Sequence, residues 1–174
     1  MAEPIVIVDY DPRWPEEFAR LCDRAQSALG ELAVSIEHVG STAVPGLPAK
    51  PVIDMVVVIA SDDDLPVAIE RLEAIGYRAR GDLDVPGREA FSWPEGETRH
   101  HLYVSPTSSE ELRAQITFRD VLRSDPGLAA AYVALKRELA AKYRDDRPSY
   151  TDGKNDFIAA ALASSIAEQP DAEN

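Results

Sequence analysis

Residues 37–59, EHVGSTAVPGLPAKPVIDMVVVI, decide how the rest of the chain is read. Within the stretch, PVIDMVVVIA (51–60) is a continuous apolar run rich in β-branched residues. Such a run suits a central strand buried on both faces of a sheet. A lone acid, Asp54, stands at its start. Burying an isolated carboxylate is costly, so Asp54 needs a metal, a positive partner or a set of N–H donors. Lys50 is one candidate partner if the chain bends near Pro51. Upstream, Gly40-Ser41 follows a strand and precedes a short helical turn. A glycine-serine pair there exposes backbone N–H groups and a hydroxyl, a natural cradle for phosphate oxygens. The same pair is also ordinary turn chemistry.

Working outward from this stretch, LAVSIEHV (32–39) and IVIVDY (5–10) read as strands. Between them, residues 11–30 read as a helix: Pro15 suits the first turn, and Phe18, Leu21, Cys22, Ala25 and Leu29 recur at helical spacing before Gly30. Cys22 is therefore expected in the core. Downstream, 61–76 is a helix with acids in its first turn and Gly76 at its end. YRAR (77–80) is a short strand and GDLDVPG (81–87) a turn. REAFSW (88–93) and RHHLYV (99–104) form two antiparallel strands joined by PEGET.

From residue 108 the pattern turns helical. SSEELRAQITFRDVLR (108–123) opens on a serine cap followed by acids. Asp125-Pro126 restarts a helix with Leu128, Tyr132, Leu135, Leu139 and Tyr143 on one face. RDDRPSY (144–150) is a break. TDGKNDFIAAALASSIA (151–167) is a last helix with Phe157, Ala161, Leu162 and Ile166 facing inward. The reading is an α+β fold: a mixed β-sheet packed by helices, followed by a C-terminal helical segment. Residues 1–166 are expected to form one domain and the acidic tail 167–174 to be disordered.

The bulk numbers exclude several functions. One cysteine in 174 residues rules out an intrachain disulfide and a cysteine-rich zinc site. No apolar run is long enough to span a bilayer, and MAEPIVIVDYDP lacks the marks of a signal peptide, so a cytoplasmic location is expected. A net charge of −13 disfavours long nucleic acids, whose binding depends on neutralising phosphates. A small phosphorylated ligand in a locally basic pocket stays open. Basic residues gather in the second half, among them Arg99, Arg119, Arg123, Lys136, Arg137 and Lys154.

On a strand, Arg99, His101 and Tyr103 share one face and His100 takes the other, so His101 and Arg99 are candidates to line a cleft. The alternative for a strand histidine is a hydrogen-bonded structural role. Arg119 and Arg123 lie one helical turn apart and suit a two-pronged anion clamp. Tyr150 is a further candidate. Lys154 stands at a helix start, where N–H groups already favour an anion.

With these residues in view, the chain resembles the GrpB family. The resemblance rests on YDPRWPEEF, IEHVGSTAVPGLPAKPVIDMVVVI, GYRARGD with VPGREAF, RHHLYV, FRDVLR and LKRELAAKYRDDRPSYTDGKNDFI, from about residue 8 to about 165. That family resembles the nucleotidyltransferase superfamily in fold, and its domain also occurs fused to dephospho-coenzyme A kinase. The superfamily pattern is hydrophobic-Gly-Ser, then Asp-hydrophobic-acid on the next strand. Val39-Gly40-Ser41 and Asp54-Met55 match it, but Val56 stands where the second carboxylate belongs. His101, or Glu89 as an outside candidate, stands in for a third.

The resemblance implies metal-assisted nucleotidyl transfer, or related chemistry on a phosphorylated substrate. Asp54 would hold Mg or Mn, with His101 beside it as the second catalytic residue. His38, Gly40, Ser41, Thr42, Lys50, Arg99, Arg119, Tyr150 and Lys154 would surround the nucleotide or other phosphorylated ligand. The thinned carboxylates equally suit a non-catalytic binding or folding-accessory module. A single carboxylate binds magnesium poorly without help from substrate oxygens.

Overall fold

In a computed structural model, which describes residues 4–167, the apolar run is β2 (Ile53–Ile59). It lies between β1 (Ser35–Val39), antiparallel to it, and β5 (His100–Pro106), parallel to it. β4 (Glu89–Ser92) and the two-residue β3 (Arg78–Ala79) extend the sheet in the order β1-β2-β5-β4-β3. All pairs except β2 with β5 are antiparallel, so the sheet is mixed.

The pleat of β2 divides the core. Ile53, Met55, Val57 and Ile59 point to one face and are buried with Phe91, Leu102, Val104 and Tyr77. Two helices cover that face, α1 (Trp14–Leu29) through Leu21, Ala25 and Leu29, and α2 (Leu65–Ala74) through Ala68 and Leu72. Val56 and Val58 point to the other face, where they pack with Val39 and with Leu112 of α3 (Glu110–Ser124). Asp54 shares this second face. α4 (Pro126–Lys142) and α6 (Asn155–Ala167) join α3 there. Leu122, Tyr132, Phe157 and Ile158 pack around Val44 and Leu47 of the VPGLP loop and tie the helical segment to the sheet.

Three expectations need correction. IVIVDY is not a strand: its one bridge is Val8 to Ala49, closed by Val8 N–H to Ala49 O (2.9 Å) and Ala49 N–H to Val8 O (3.0 Å). Pro48 precedes Ala49 and Pro51 follows it by two, and neither has an N–H to extend a ladder. RDDRPSY is not a break but leads into α5 (Arg147–Asp152). Asp146 caps it, accepting from Ser149 N–H at 3.1 Å, with a proline in the first turn. Cys22 is half-buried rather than in the core. The side chain of Ile166, and the acidic tail beyond Ala167, lie outside the described residues. No described helix is long and apolar enough to cross a membrane.

Candidate functional site

Asp54 is the second residue of β2, on the sheet face that α3 packs against. A cavity of about 390 Å³ opens there, within the range of small-molecule sites. Its floor is Gly40, Ser41, Thr42, Asp54, His101 and Tyr103; its roof comes from α3, α4, α5 and α6. Of the residues expected at the site, Gly40, Ser41, Thr42, Lys50, Asp54, His101, Arg119, Tyr150 and Lys154 all line it.

The partner of Asp54 is His101, not Lys50. The two residues face each other across the parallel β2–β5 pair, and His101 Nδ1 lies 2.6 Å from Asp54 Oδ1. Gly40 makes room for this carboxylate. Its φ is +72°, and a Cβ there would stand 2.5 Å from Asp54 Oδ2. The conformation and the close approach both demand glycine. Ser41–Ala43 form a single turn of 3₁₀ helix behind it.

Three lysines meet in the cavity. Lys136, 2% exposed, donates from Nζ to Pro48 O (2.6 Å) and Ser41 Oγ (3.0 Å). Burial, reinforced by Lys154 and Lys50, pushes its pKa down to about 7. Burial and the charge of Lys50 lower Lys154 to about 8, against the pull of Asp54. Burial lowers Lys50 too, again with Asp54 opposing. Two of them lie over the Tyr150 ring, with Lys50 Nζ 5.4 Å and Lys154 Nζ 4.6 Å from its centroid. Tyr132 carries Lys136 over its ring at 4.9 Å.

Lys136 and Tyr132 are the residues that pattern reading missed as site residues. Lys136 follows Tyr132 by four and precedes Leu139 by three, on the apolar face of α4. A lysine in an otherwise apolar stripe was the available signal.

Five of the candidate residues stand elsewhere or are otherwise engaged. His38 faces α1, stacked on Phe18 at 4.5 Å, with Nε2 2.9 Å from Thr42 Oγ1. Burial drives its pKa down to about 4, so it is neutral at pH 7 and steadies the turn from behind. Arg99 is outside the cavity lining, with its guanidinium over the Trp93 ring at 5.7 Å. Arg119 and Arg123 form no clamp. Arg119 donates to Glu37 Oε2 (2.9 Å), His38 O (3.0 Å) and Asp120 Oδ1 (2.8 Å). Arg123 donates twice to Ala43 O, at 3.0 and 2.7 Å. Glu89 accepts from Arg80 and Gly81 N–H, at 3.1 and 2.6 Å, away from the cavity.

The donor set does not fit a two-metal centre. Val56, where a second carboxylate would stand, is fully buried in an apolar cluster. Asp54 and His101 are bonded to each other, and the described residues hold no group of three potential ligands.

The fold is a nucleotidyltransferase-like architecture. The structure of Cid1 poly(U) polymerase with Mg 3′-dATP bound superposes with a TM-score of 0.58 at 16% identity, covering 84% of this chain and 49% of that one. The chain itself belongs to the GrpB family: the model described as GrpB protein matches residues 4–164. GrpB from Enterococcus faecalis gives a TM-score of 0.83 at 29% identity, covering 94% of this chain and 98% of that one. The UPF0157 protein YqkA of Bacillus subtilis is 31% identical over 157 residues, 90% of this chain and 46% of that protein. A UPF0157 protein of Pseudomonas aeruginosa is 36% identical over 167 residues, 94% of this chain and 68% of that protein. A dephospho-CoA kinase of Mycobacterium bovis is 42% identical over 185 aligned positions, 91% of this chain and 45% of that protein. The chain thus spans about half the length of the Bacillus and Mycobacterium proteins.

Proposed function

We propose that the cavity binds a small phosphorylated ligand, with a nucleotide as the first class, and supports transfer chemistry at its phosphate. The observation that carries this is the meeting of Lys50, Lys136 and Lys154 with the Gly40-Ser41 turn in one cavity of a strongly acidic protein. Three lysines held close and partly desolvated repel one another. An anion among them relieves that repulsion and restores their protons. Few ligands other than a phosphate group supply so much negative charge in so small a volume.

The rest of the cavity suits the non-phosphate part. Val39, Phe118, Leu122, Tyr132 and Ile158 give it apolar walls, and Gln115 and Glu111 offer polar atoms. Cid1 is described with a magnesium-bound deoxynucleotide, which makes a nucleotide the first class to try. Fold kinship does not fix chemistry. Relatives named dephospho-CoA kinase make a coenzyme A precursor the second. Non-catalytic binding is favoured by one observation, the apolar burial of Val56 in place of a second carboxylate.

Isothermal titration calorimetry tests the binding reading. Nucleoside triphosphates and dephospho-coenzyme A would be titrated with magnesium, with manganese and with chelator. Binding that weakens at least tenfold in Lys136→Met or Lys154→Met is the expected result. Absence of binding to any member of the panel would remove the nucleotide reading.

A further inference from the structure

The pairing of Asp54 with His101 points to the chemistry of the site. Their strands are parallel neighbours and the two residues are in register, so the backbone holds both side chains on one face. Both are about one-third exposed, at 30% and 32%, and both line the cavity. An ionised carboxylate can only accept a hydrogen bond, so the 2.6 Å contact places the ring proton on His101 Nδ1. In the neutral ring, Nε2 then carries a lone pair. Among the described residues, no hydrogen bond to this Nε2 is found.

The other two histidines show the contrast. His100 is fully buried with both nitrogens engaged: Nδ1–H donates to Thr98 O at 2.7 Å, and Nε2 accepts from Tyr77 O–H at 2.8 Å. His38 is stacked on Phe18 and bonded to Thr42. His101 is the one histidine that lines the cavity.

The failure of the metal fit supports the same conclusion. In a two-metal site the cations orient the nucleophile and take up the charge of the leaving group. Here the second duty can fall to Lys50, Lys136 and Lys154, whose charges also oppose a dication beside Asp54. Asp54 has its Oδ1 on His101 and its Oδ2 against Gly40. This arrangement holds an imidazole in one tautomer and orientation.

We propose that Asp54 and His101 form a metal-independent general base, with His101 Nε2 as the proton-accepting atom and Asp54 as its positioning carboxylate. Its substrate rests on the phosphorylated-ligand reading; the dyad itself does not. A water or hydroxyl-bearing acceptor gives its proton to Nε2 as its oxygen bonds to phosphorus. The bond from phosphorus to the leaving oxygen breaks, and the electron pair departs with that oxygen. The lysines meet its charge, and the proton on His101 passes to it or to solvent. A base placed this way contributes roughly 100-fold or more to rate.

Two measurements on the full chain test the dyad without knowledge of the natural ligand. The first follows 4-nitrophenolate release from bis(4-nitrophenyl) phosphate in excess chelator. The expected result is release that persists in chelator and falls about 100-fold or more in kcat in both His101→Gln and Asp54→Asn, with KM changed by less than about threefold. Release that requires added magnesium or manganese, no release by the wild type, or unchanged variants would overturn the proposal. The second needs no variant. In the ¹⁵N-labelled wild type, His101 should show the Nδ1–H tautomer and keep sharp lines with equimolar Mn²⁺. An Nε2–H tautomer, or broadening confined to His101, would overturn the proposal. Failure of the calorimetric titration alone would remove the nucleotide and leave the dyad standing.

Discussion

Lys136 makes the chemistry of the cavity measurable at the scale of one side chain. Its pKa is about 7 in the folded protein against an ordinary lysine value of 10.5. Below pH 7 both folded and unfolded chains hold the proton, and the folded state bears the full cost of burying it. Between pH 7 and 10.5 the unfolded chain binds more protons, so stability rises with pH; above that window the slope disappears. Urea unfolding from pH 6.5 to 10 should show this rise, and Lys136→Met should reduce it, leaving the smaller rise from Lys154 and Lys50. Ligand binding has the opposite dependence. A bound phosphate raises the lysine pKa again, so protons are taken up on binding and affinity falls as pH rises above 7. Calorimetry in two buffers of different ionisation enthalpy at pH 8 would read the uptake directly.

Gly40 is the second residue with a sharp expectation. Alanine there meets an extended backbone of positive φ (φ +72°, ψ −173°) that essentially only glycine adopts, costing about 1–3 kcal/mol, and pushes against the Asp54 carboxylate. Gly40→Ala should lower stability by at least that amount in chemical denaturation. It should also reduce chelator-resistant phosphodiester cleavage to the level of Asp54→Asn. At this scale the sequence was informative where chemistry is local. Gly40, Ser41 and Asp54 announce themselves by type and spacing. The partner of Asp54 was less legible, because strand register, not sequence distance, brings His101 to it across 47 residues.

Among the elements, α3 has the most to do with the shape of the site. Its Leu112 seals the apolar end of the second sheet face, and its Phe118, Arg119 and Leu122 line the cavity. Ser109 caps it, accepting from Leu112 N–H at 3.2 Å. Ser109→Ala should cost about 1 kcal/mol, a fall in Tm of roughly 2–4 °C. Thermal unfolding by circular dichroism would measure it. Helix starts and the buried β2 were readable because capping residues and apolar runs are local signals. IVIVDY misled because a strand also needs a neighbour with free N–H groups, and the proline-rich loop beside it has few. The arginine clamp misled for a related reason. Helical spacing puts Arg119 and Arg123 on one face, but Glu37, the carbonyl oxygens of His38 and Ala43, and Asp120 take up their donors.

The whole molecule sets a negative field around a local positive interior. Composition made the first half of that statement legible, with a net charge of −13. The second half depends on three lysines from different segments meeting in space, which no linear pattern encodes. The contrast predicts size selection. A short fluorescent nucleotide should bind, whereas a 20-nucleotide RNA at about 150 mM salt should show no anisotropy change, since it would have to lie along acidic surface. Retention of the long RNA with an affinity near that of the nucleotide would contradict a cavity-confined site.

Lys136 reaches Ser41 across 95 residues of sequence and Pro48 across 88. A chain synthesised only as far as Ser124 would already carry all five strands, the Gly40-Ser41 turn and both members of the dyad. It would hold just one of the three lysines. Binding competence therefore arrives last in assembly, after the base is already in place. A ligand that bridges turn and helices acts as a latch on the final docking step: amides of α4 should exchange with solvent more slowly in the bound protein, while those of α1 keep their rate.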